Sequence, residues 1–483
     1  MTPEGTDDSA PSGLALAGRV LDLVRRLAGP AADAEAGVYH TAEGLTRFAN
    51  SAIHQNVAGA TSVVRLRLHL DGRTASGSTT ITDAAGLESL VQRTIAAARL
   101  SPPDALWAGL TPPAPVVAGV FDEATAQATP GERAIRVRDF VRAAGGLETA
   151  GYCRTVSSSG AFANSAGQAV EGRAVEAAMD GIARNAGADG VARLASDRLA
   201  DIDGAALGVR AAAKARAGGR PIELPPGRYE VVLEPEAVAD LLSNLAAFGF
   251  NGRSYARKQS FAEPGVLQFD AAVTITDEPT FTLPFDTEGT PRAPLTLVGS
   301  GTTVAVTHDR SSAADVGAAS TGHASAWSRS WGPVATHPHL APGAPAAGPS
   351  VASGTAQPVA ASGTADPDGD HPGPVAPPAL PLVATMERGL LITDLWYTRV
   401  LDQKSLVVTG LTRNGVWLVE DGEIRAAVGT MRFTQSYPLA LGPGAVLGIG
   451  TTAIRLPDRW SGVQYAAPAL HLASWNLTGN ASG

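Results

Sequence analysis

The sequence predicts an α+β protein: an N-terminal α/β domain of helices packed on a mixed sheet, then a β-rich C-terminal domain. Three observations predict it. Near the start, Leu14, Ala17, Val20, Leu21, Val24 and Leu27 recur at helical spacing. Val64, Leu66, Leu68 and Leu70 then alternate with Arg65, Arg67 and His69, the period of a half-buried strand. From Pro221 onward, short apolar runs are broken by Gly, Pro and Asp, the texture of many short strands.

Each element has a local reason. Gly29-Pro30 stops the first helix, because proline lacks the donor and torsional freedom to continue it. Short extended pieces follow around Val38 to His40 and Leu45 to Val57. Asp71-Gly72 is a hairpin turn, and Thr74 to Thr82 returns as the partner strand. Asp83 caps a helix with Leu87, Leu90, Val91, Thr94 and Ile95 on one face. Strands broken by Gly and Asn are expected from Gly151 to about Arg193, and a helix from Gly204 to Ala217. In the second region a single clear helix runs from Pro235 to Phe248. Pro235 suits its first turn, and Gly249 is its stop.

With 483 residues the chain exceeds one ordinary core, so two domains are expected, at 13–220 and 221–483. Residues 1–12 are acidic and polar and are read as a disordered N-terminus without the features of a signal peptide. The Pro/Ala/Gly/Ser-rich stretch 333–381 is read as a disordered insertion, since it holds too little apolar surface to offset ordering. The net charge of −9 and the lack of a basic run argue against a nucleic-acid partner. No window is apolar for long enough to span a bilayer. The single cysteine, Cys153, rules out an internal disulfide and suits a reducing, cytoplasmic compartment.

Several stretches, taken in order, resemble the TldD/PmbA family (peptidase family U62). They are Leu45 to Ser51 with Ile53-His54-Gln55, Asp201-Ile202-Asp203, Pro225 to Leu233, Phe285 to Thr290, Ser320 to Ser325, and Gly415 to Ile424. Each is weak alone; their order and spacing make the resemblance. The family has TldD-like subunits, whose His-Glu-x-x-x-His helix binds zinc, and TldE (PmbA)-like subunits without that motif. In this chain no histidine is followed by glutamate. The resemblance places the motif positions at Ser243, Asn244 and Phe248, none of which offers the imidazole or carboxylate donor that zinc requires. It therefore implies a TldE-like, non-catalytic subunit with no cofactor of its own. The expected partners are a TldD-like zinc metallopeptidase and an unfolded or extended peptide.

Asn251, Arg257, Asp286, Glu288 and His323 are the candidate cleft or partner contacts. Asp286 and Glu288 have the spacing of one strand face, suited to paired acid/base work, but turn and salt-bridge contacts with neighbours such as Arg292 are the simpler reading. His323, in a Thr-Gly-His-Ala-Ser run, is either a cleft residue or a turn histidine bonded to nearby backbone. His337-Pro338-His339 and the acidic run from Asp366 to His371 gather possible ligands, yet both fall in the low-complexity stretch. Two rivals remain: a stand-alone metallopeptidase built on Asp286, Glu288, His308 and His323, and a non-enzymatic regulator of the DNA-gyrase-modulator kind.

Overall fold

A computed structural model describes residues 12–344, 376–458 and 462–481. The N-terminal unit contains α1 (Gly13–Ala28), β1 (Asp33–Ala49), β2 (Ala52–Leu70), β3 (Arg73–Thr79), α2 (Ala84–Leu100), α3 (Glu123–Ala126) and α4 (Pro130–Ala143). It continues with β4 (Glu148–Asn164), β5 (Ala169–Asn185), β6 (Ala188–Ser196) and α5 (Gly204–Ala217). Its six strands lie in the order β3-β2-β1-β4-β5-β6. Every pairing is antiparallel, so the expected mixed sheet is corrected. The reason lies in the connections. Asn50-Ser51, Asp71-Gly72 and Ala186-Gly187 are two-residue turns with both residues at positive φ. Such turns match strand twist and return the chain antiparallel. The two short pieces expected between Val38 and Val57 are thus one long hairpin, β1 and β2.

One face of this sheet is apolar; the other is polar over β1–β3, with Phe162 and Val170 packed against Phe285 on its β4–β5 part. Val64, Leu66 and Leu68 pack with Ala34 and Ala36 beneath α1 and α2, while α4 and α5 cover the β4–β6 half around Phe140, Met179 and Ala211. Cys153 lies in that second cluster, and burial pushes its thiol up to about 12.

The C-terminal unit begins with β7 (Gly227–Leu233), α6 (Pro235–Asn244), a π-helical turn at Leu245–Gly249 and α7 (Gly252–Ala256). After it come β8 (Ile275–Asp277), β9 (Leu295–Gly299), β10 (Thr302–Thr303), α8 (Arg310–Val316), α9 (Ser328–Trp331) and β11 (Pro338–Leu340). The remainder is α10 (Leu380–Val383), β12 (Arg388–Asp402), β13 (Val407–Glu420), β14 (Glu423–Ala427), β15 (Met431–Ser436) and α11 (Tyr437–Ala440). It ends with β16 (Val446–Ile449), β17 (Ile454–Pro457), β18 (Gln464–Ala467) and β19 (Leu470–Asn480). One sheet runs β10-β9-β8-β11-β18-β17. In the other, β12 pairs with both β7 and β13, so the order β12-β7-β19-β15-β13 closes on itself as a five-stranded barrel. Helix α6 buries Val238, Leu241 and Leu242, and the π-helical turn Leu245, in the core that this barrel shares with Leu390, Phe433 and Trp475.

The boundaries expected for the insertion need correction. Val334 to Leu340 is ordered, with β11 paired to β8 and β18, because His337 and Leu340 are buried there. Residues 376–381 likewise fold, entering α10. The rest of that expectation, 345–375 with the Asp366 to His371 run, lies outside the described residues, as do residues 1–11. Ser12, the last of the expected disordered N-terminus, instead caps α1 through its hydroxyl. No helix among the described residues is long and apolar enough to cross a membrane.

Candidate functional site

The polar face of the N-terminal sheet is not left to solvent. On β1, Glu35, Gly37 and Tyr39 alternate onto it, and register pairs Glu35 with Arg67 and Gly37 with Arg65 on β2. Ser76 and Ser78 extend it on β3, opposite Arg67 and Arg65. Loops of the C-terminal unit stand over this floor, with Thr287-Glu288, Asp309 and Ser325 to Arg329 as the roof. Between them is a cavity of about 740 Å³, a size that suits a small ligand or a short peptide segment.

Charge in this cavity is crowded. Arg67 hydrogen-bonds Glu288 and stands 3.4 Å from Glu35. Its guanidinium also lies 4.8 Å from the Trp107 ring centroid. Glu35 is only 3% exposed, and neither of its oxygens has a hydrogen-bond partner among the described residues. Burial raises its carboxyl to about 8; Arg67 opposes that shift, while Glu288 and Asp286 add to it. The Tyr39 hydroxyl is likewise buried without a partner.

Asp286 and Glu288 do come together, though not from a strand. Asp286 opens a turn: its Oδ1 accepts from the Glu288 and Thr290 N–H groups, and its Oδ2 from Ala324 N–H. Burial, and then the charge of Glu288, push the Asp286 carboxyl up. Glu288 accepts from the Arg310 N–H at the start of α8. Arg292, the expected partner, instead bonds Thr336 Oγ1 at 3.1 Å. The turn-and-salt-bridge reading thus describes the contacts, with Arg67 as the cation. An arginine on a distant strand cannot be assigned from spacing within one loop.

His323 lies apart from the cavity. Its Nε2 is 3.1 Å from Asp277 Oδ2 and its Nδ1 is 2.8 Å from Thr321 Oγ1, so it meets side chains rather than the expected backbone. Burial raises the Asp277 carboxyl, but the hydrogen bond and charge of His323, with the charge and backbone N–H of His337, outweigh it and leave the group below its ordinary value. His308 bonds Ser312, and burial lowers its pKa. Asn251 caps α7, accepting from Arg253 and Ser254 N–H and donating to the Ala247 and Trp331 carbonyls. Arg257, by contrast, is exposed and lines the cavity. It also lines a second recess of about 160 Å³ with Phe248, Trp331 and Gln403. The two recesses share Arg253 and Arg257, so they lie side by side between the end of α6 and the sheet.

At that end of α6 stand Ser243, Asn244 and Phe248, the positions that the resemblance assigns to the motif. Asn244 Nδ2 donates to the Asp240 carbonyl and carboxylate, and Asp240 also accepts from Thr398 and Tyr437 hydroxyls. Phe248 meets the Trp331 ring at 5.9 Å between centroids. As a donor set, Ser243, Asn244 and Phe248 do not fit a zinc ion. Among the described residues, no group of three or more His, Cys, Asp or Glu side chains is placed to hold a metal.

The family model for the PmbA/TldA metallopeptidase C-terminal domain matches residues 226–479, more than half of the chain, and that for domain 1 matches residues 34–98. The chain belongs to the PmbA/TldD family. No curated protein shows significant sequence similarity to it. Among solved structures, this PmbA/TldD-family chain is similar to TldE from Thermococcus kodakarensis, with TM-score 0.79 and 15% identity over 96% of this chain and 100% of that one. It is also similar to a proposed modulator of a DNA gyrase from Thermotoga maritima, with TM-score 0.77 and 16% identity, covering 96% and 99% of the two chains. A proposed modulator of DNA gyrase from Bacteroides thetaiotaomicron gives TM-score 0.75 and 17% identity over 96% and 98%. At these identities the likeness is one of fold.

The residues missed from sequence are Glu35, Tyr39 and Arg67. Their signal was present in the alternation of Arg65, Arg67 and His69, but a polar strand face reads as solvent until something is known to cover it.

Proposed function

We propose that this chain is a TldE-type subunit of a TldD/TldE-type peptidase pair, lining and gripping an extended peptide while a TldD-like partner supplies the zinc. The observation that carries this reading is the end of α6. There stand Ser243, Asn244 and Phe248, the residues that the resemblance sets at the motif positions, and the amide of Asn244 is already held by Asp240. A recess lined by Arg253 and Arg257 adjoins that helix end beside the larger cavity, a place for substrate without donors for a metal. An activated water is then the partner's contribution. The single buried cysteine is compatible with a reducing cytoplasm.

The test is to assay the chain alone, a TldD-like chain alone, and the mixture on an unfolded peptide, with metal analysis of each. Only the mixture, or the partner, is expected to hydrolyse in a chelator-sensitive way, and the two should co-purify. Chelator-sensitive cleavage by this chain alone would overturn the reading. A stand-alone site on Asp286, Glu288, His308 and His323 is disfavoured because Asp277 and Thr321 enclose His323 away from the cavity. A second reading, a regulator of gyrase, is favoured only by the descriptions of two structures of like fold. Retention of this chain on gyrase, but on no TldD-like protein, would select it.

A further inference from the structure

We infer that the cavity between the N-terminal sheet and the loops of the C-terminal unit is a receptor for a peptide ammonium, with Glu35 as its counter-ion. The inference deepens the reading above, on which it rests for the class of ligand. The argument begins with charge. Glu35 and Glu288 are buried carboxyls on the cavity wall, and the buried Asp286 adjoins Glu288 in its turn. The cation bonded within the group is Arg67, and its hydrogen bond goes to Glu288. Asp286 is satisfied by three backbone N–H groups. Arg310 spends its side chain on the carbonyls of Ala108 and Gly109. Glu35 is left with two unfilled acceptor oxygens at the wall of an open cavity. Its counter-charge, Arg67 at 3.4 Å, is shared with Glu288 and donates its hydrogen bond there; a buried carboxyl with no hydrogen bond of its own carries a cost that an entering cation would relieve.

The remaining groups fit what lies behind an ammonium. The Tyr39 hydroxyl, without a hydrogen bond to any described residue, stands on the same strand face two positions beyond Gly37. Arg253, Arg257 and Arg329 form the outer wall. Arg253 reaches the Ser328 carbonyl, and none of the three is ion-paired with a described residue. They suit the carbonyls and carboxylates of the chain that follows. Trp327, 75% exposed at the rim, offers an apolar surface to the same segment. The other charged groups facing the cavity are Arg65 on β2, Asp104 after α2, and Asp309 and Asp315 at α8.

A lysine side chain and a free N-terminus present the same ammonium, and calorimetric titration of the full chain distinguishes them. One short peptide amide carries a free N-terminus and no lysine, a second is N-acetylated with one lysine, and a third is N-acetylated without lysine. We expect the first or second to bind and the third not to. Binding should weaken at least tenfold in Glu35→Gln, and also in Ser78→Trp, which fills the floor without touching the carboxyls. Because a cation selects ionised Glu35, affinity in the lysine arm should rise with pH up to about 8 and then level off, and should be flat in E35Q. In the N-terminal arm it should instead peak near pH 8, where an α-amino group loses its proton. Equal binding of the third peptide, no binding of any, or undiminished affinity in E35Q overturns the inference. If E35Q does not fold, undiminished binding by S78W does so. Glu35-dependent binding by a chain that joins no TldD-like partner would uphold the receptor and reject the subunit reading.

Discussion

At the scale of single residues, the unusual feature is a carboxyl held where its charged form is disfavoured. The pKa of Glu35 is raised from 4.5 to about 8 in the folded chain. Between those values the folded state binds more protons than the unfolded one, so stability falls as pH rises through that window. Glu35→Gln is therefore expected to leave the melting temperature near pH 4.5 almost unchanged and to raise it at pH 8. At about 1.4 kcal/mol per pH unit, the gain is on the order of a few kcal/mol. Calorimetric unfolding at the two pH values checks it, and a variant less stable at pH 8 would contradict it. Asp277 is the opposite case, a carboxyl that His323 and its neighbours hold below its ordinary value. One of these two sites was legible in outline. The Thr-Gly-His-Ala-Ser run marked His323 as placed by its turn, though nothing in it indicated Asp277. Glu35 was illegible, because its state depends first on burial beneath loops, such as that of Glu288, that sequence separates from it by about half of the chain.

At the scale of elements, periodicity and caps were readable, and turns without a familiar signature were not. Asp71-Gly72 announces its hairpin; Asn50-Ser51 and Ala186-Gly187 use the same backbone geometry with residues less bound to it. That is why β1 and β2 were seen only as fragments. Helix α4 passed unremarked, although Thr129 and Glu132 form a reciprocal capping box ahead of it. Its packing against α5 is close. A Cβ placed on Gly208 would sit 2.3 Å from the Phe140 carbonyl oxygen, and one on Gly204 would sit 2.0 Å from that of Arg136. Gly208→Val is accordingly expected to force the two helices apart and cost about 3 kcal/mol. Urea denaturation checks this, and a midpoint unchanged from wild type would show that the helices can separate freely.

Across the whole molecule, buried charges join the two units. Lys214 on α5 hydrogen-bonds Glu234 at the start of α6, with both side chains fully buried. Beside them Arg210 pairs with Glu236, and Arg193 with both Asp180 and Asp394. Breaking such a pair strands the survivor in a poor solvent, whereas removing both partners does not. Glu234→Leu alone is expected to destabilise by about 3–5 kcal/mol, and the double variant with Lys214→Met by markedly less. A double-mutant cycle in guanidinium decides it; additive losses would mean the pair carries no coupling. The division near residue 220 was visible as a change in texture. The joint was not, because Lys214 and Glu234 each look like ordinary surface charges on their own helices.

The closed barrel also bears on the order in which the chain can be completed. Strand β7 is made early in the C-terminal unit, yet its neighbours are β12 and β19. Until Leu470–Asn480 leaves the ribosome, one rim of β7 stays bare and the Phe433–Trp475 contact cannot form. Nascent chains halted before that point should expose sticky strand margins, making them natural clients for chaperones.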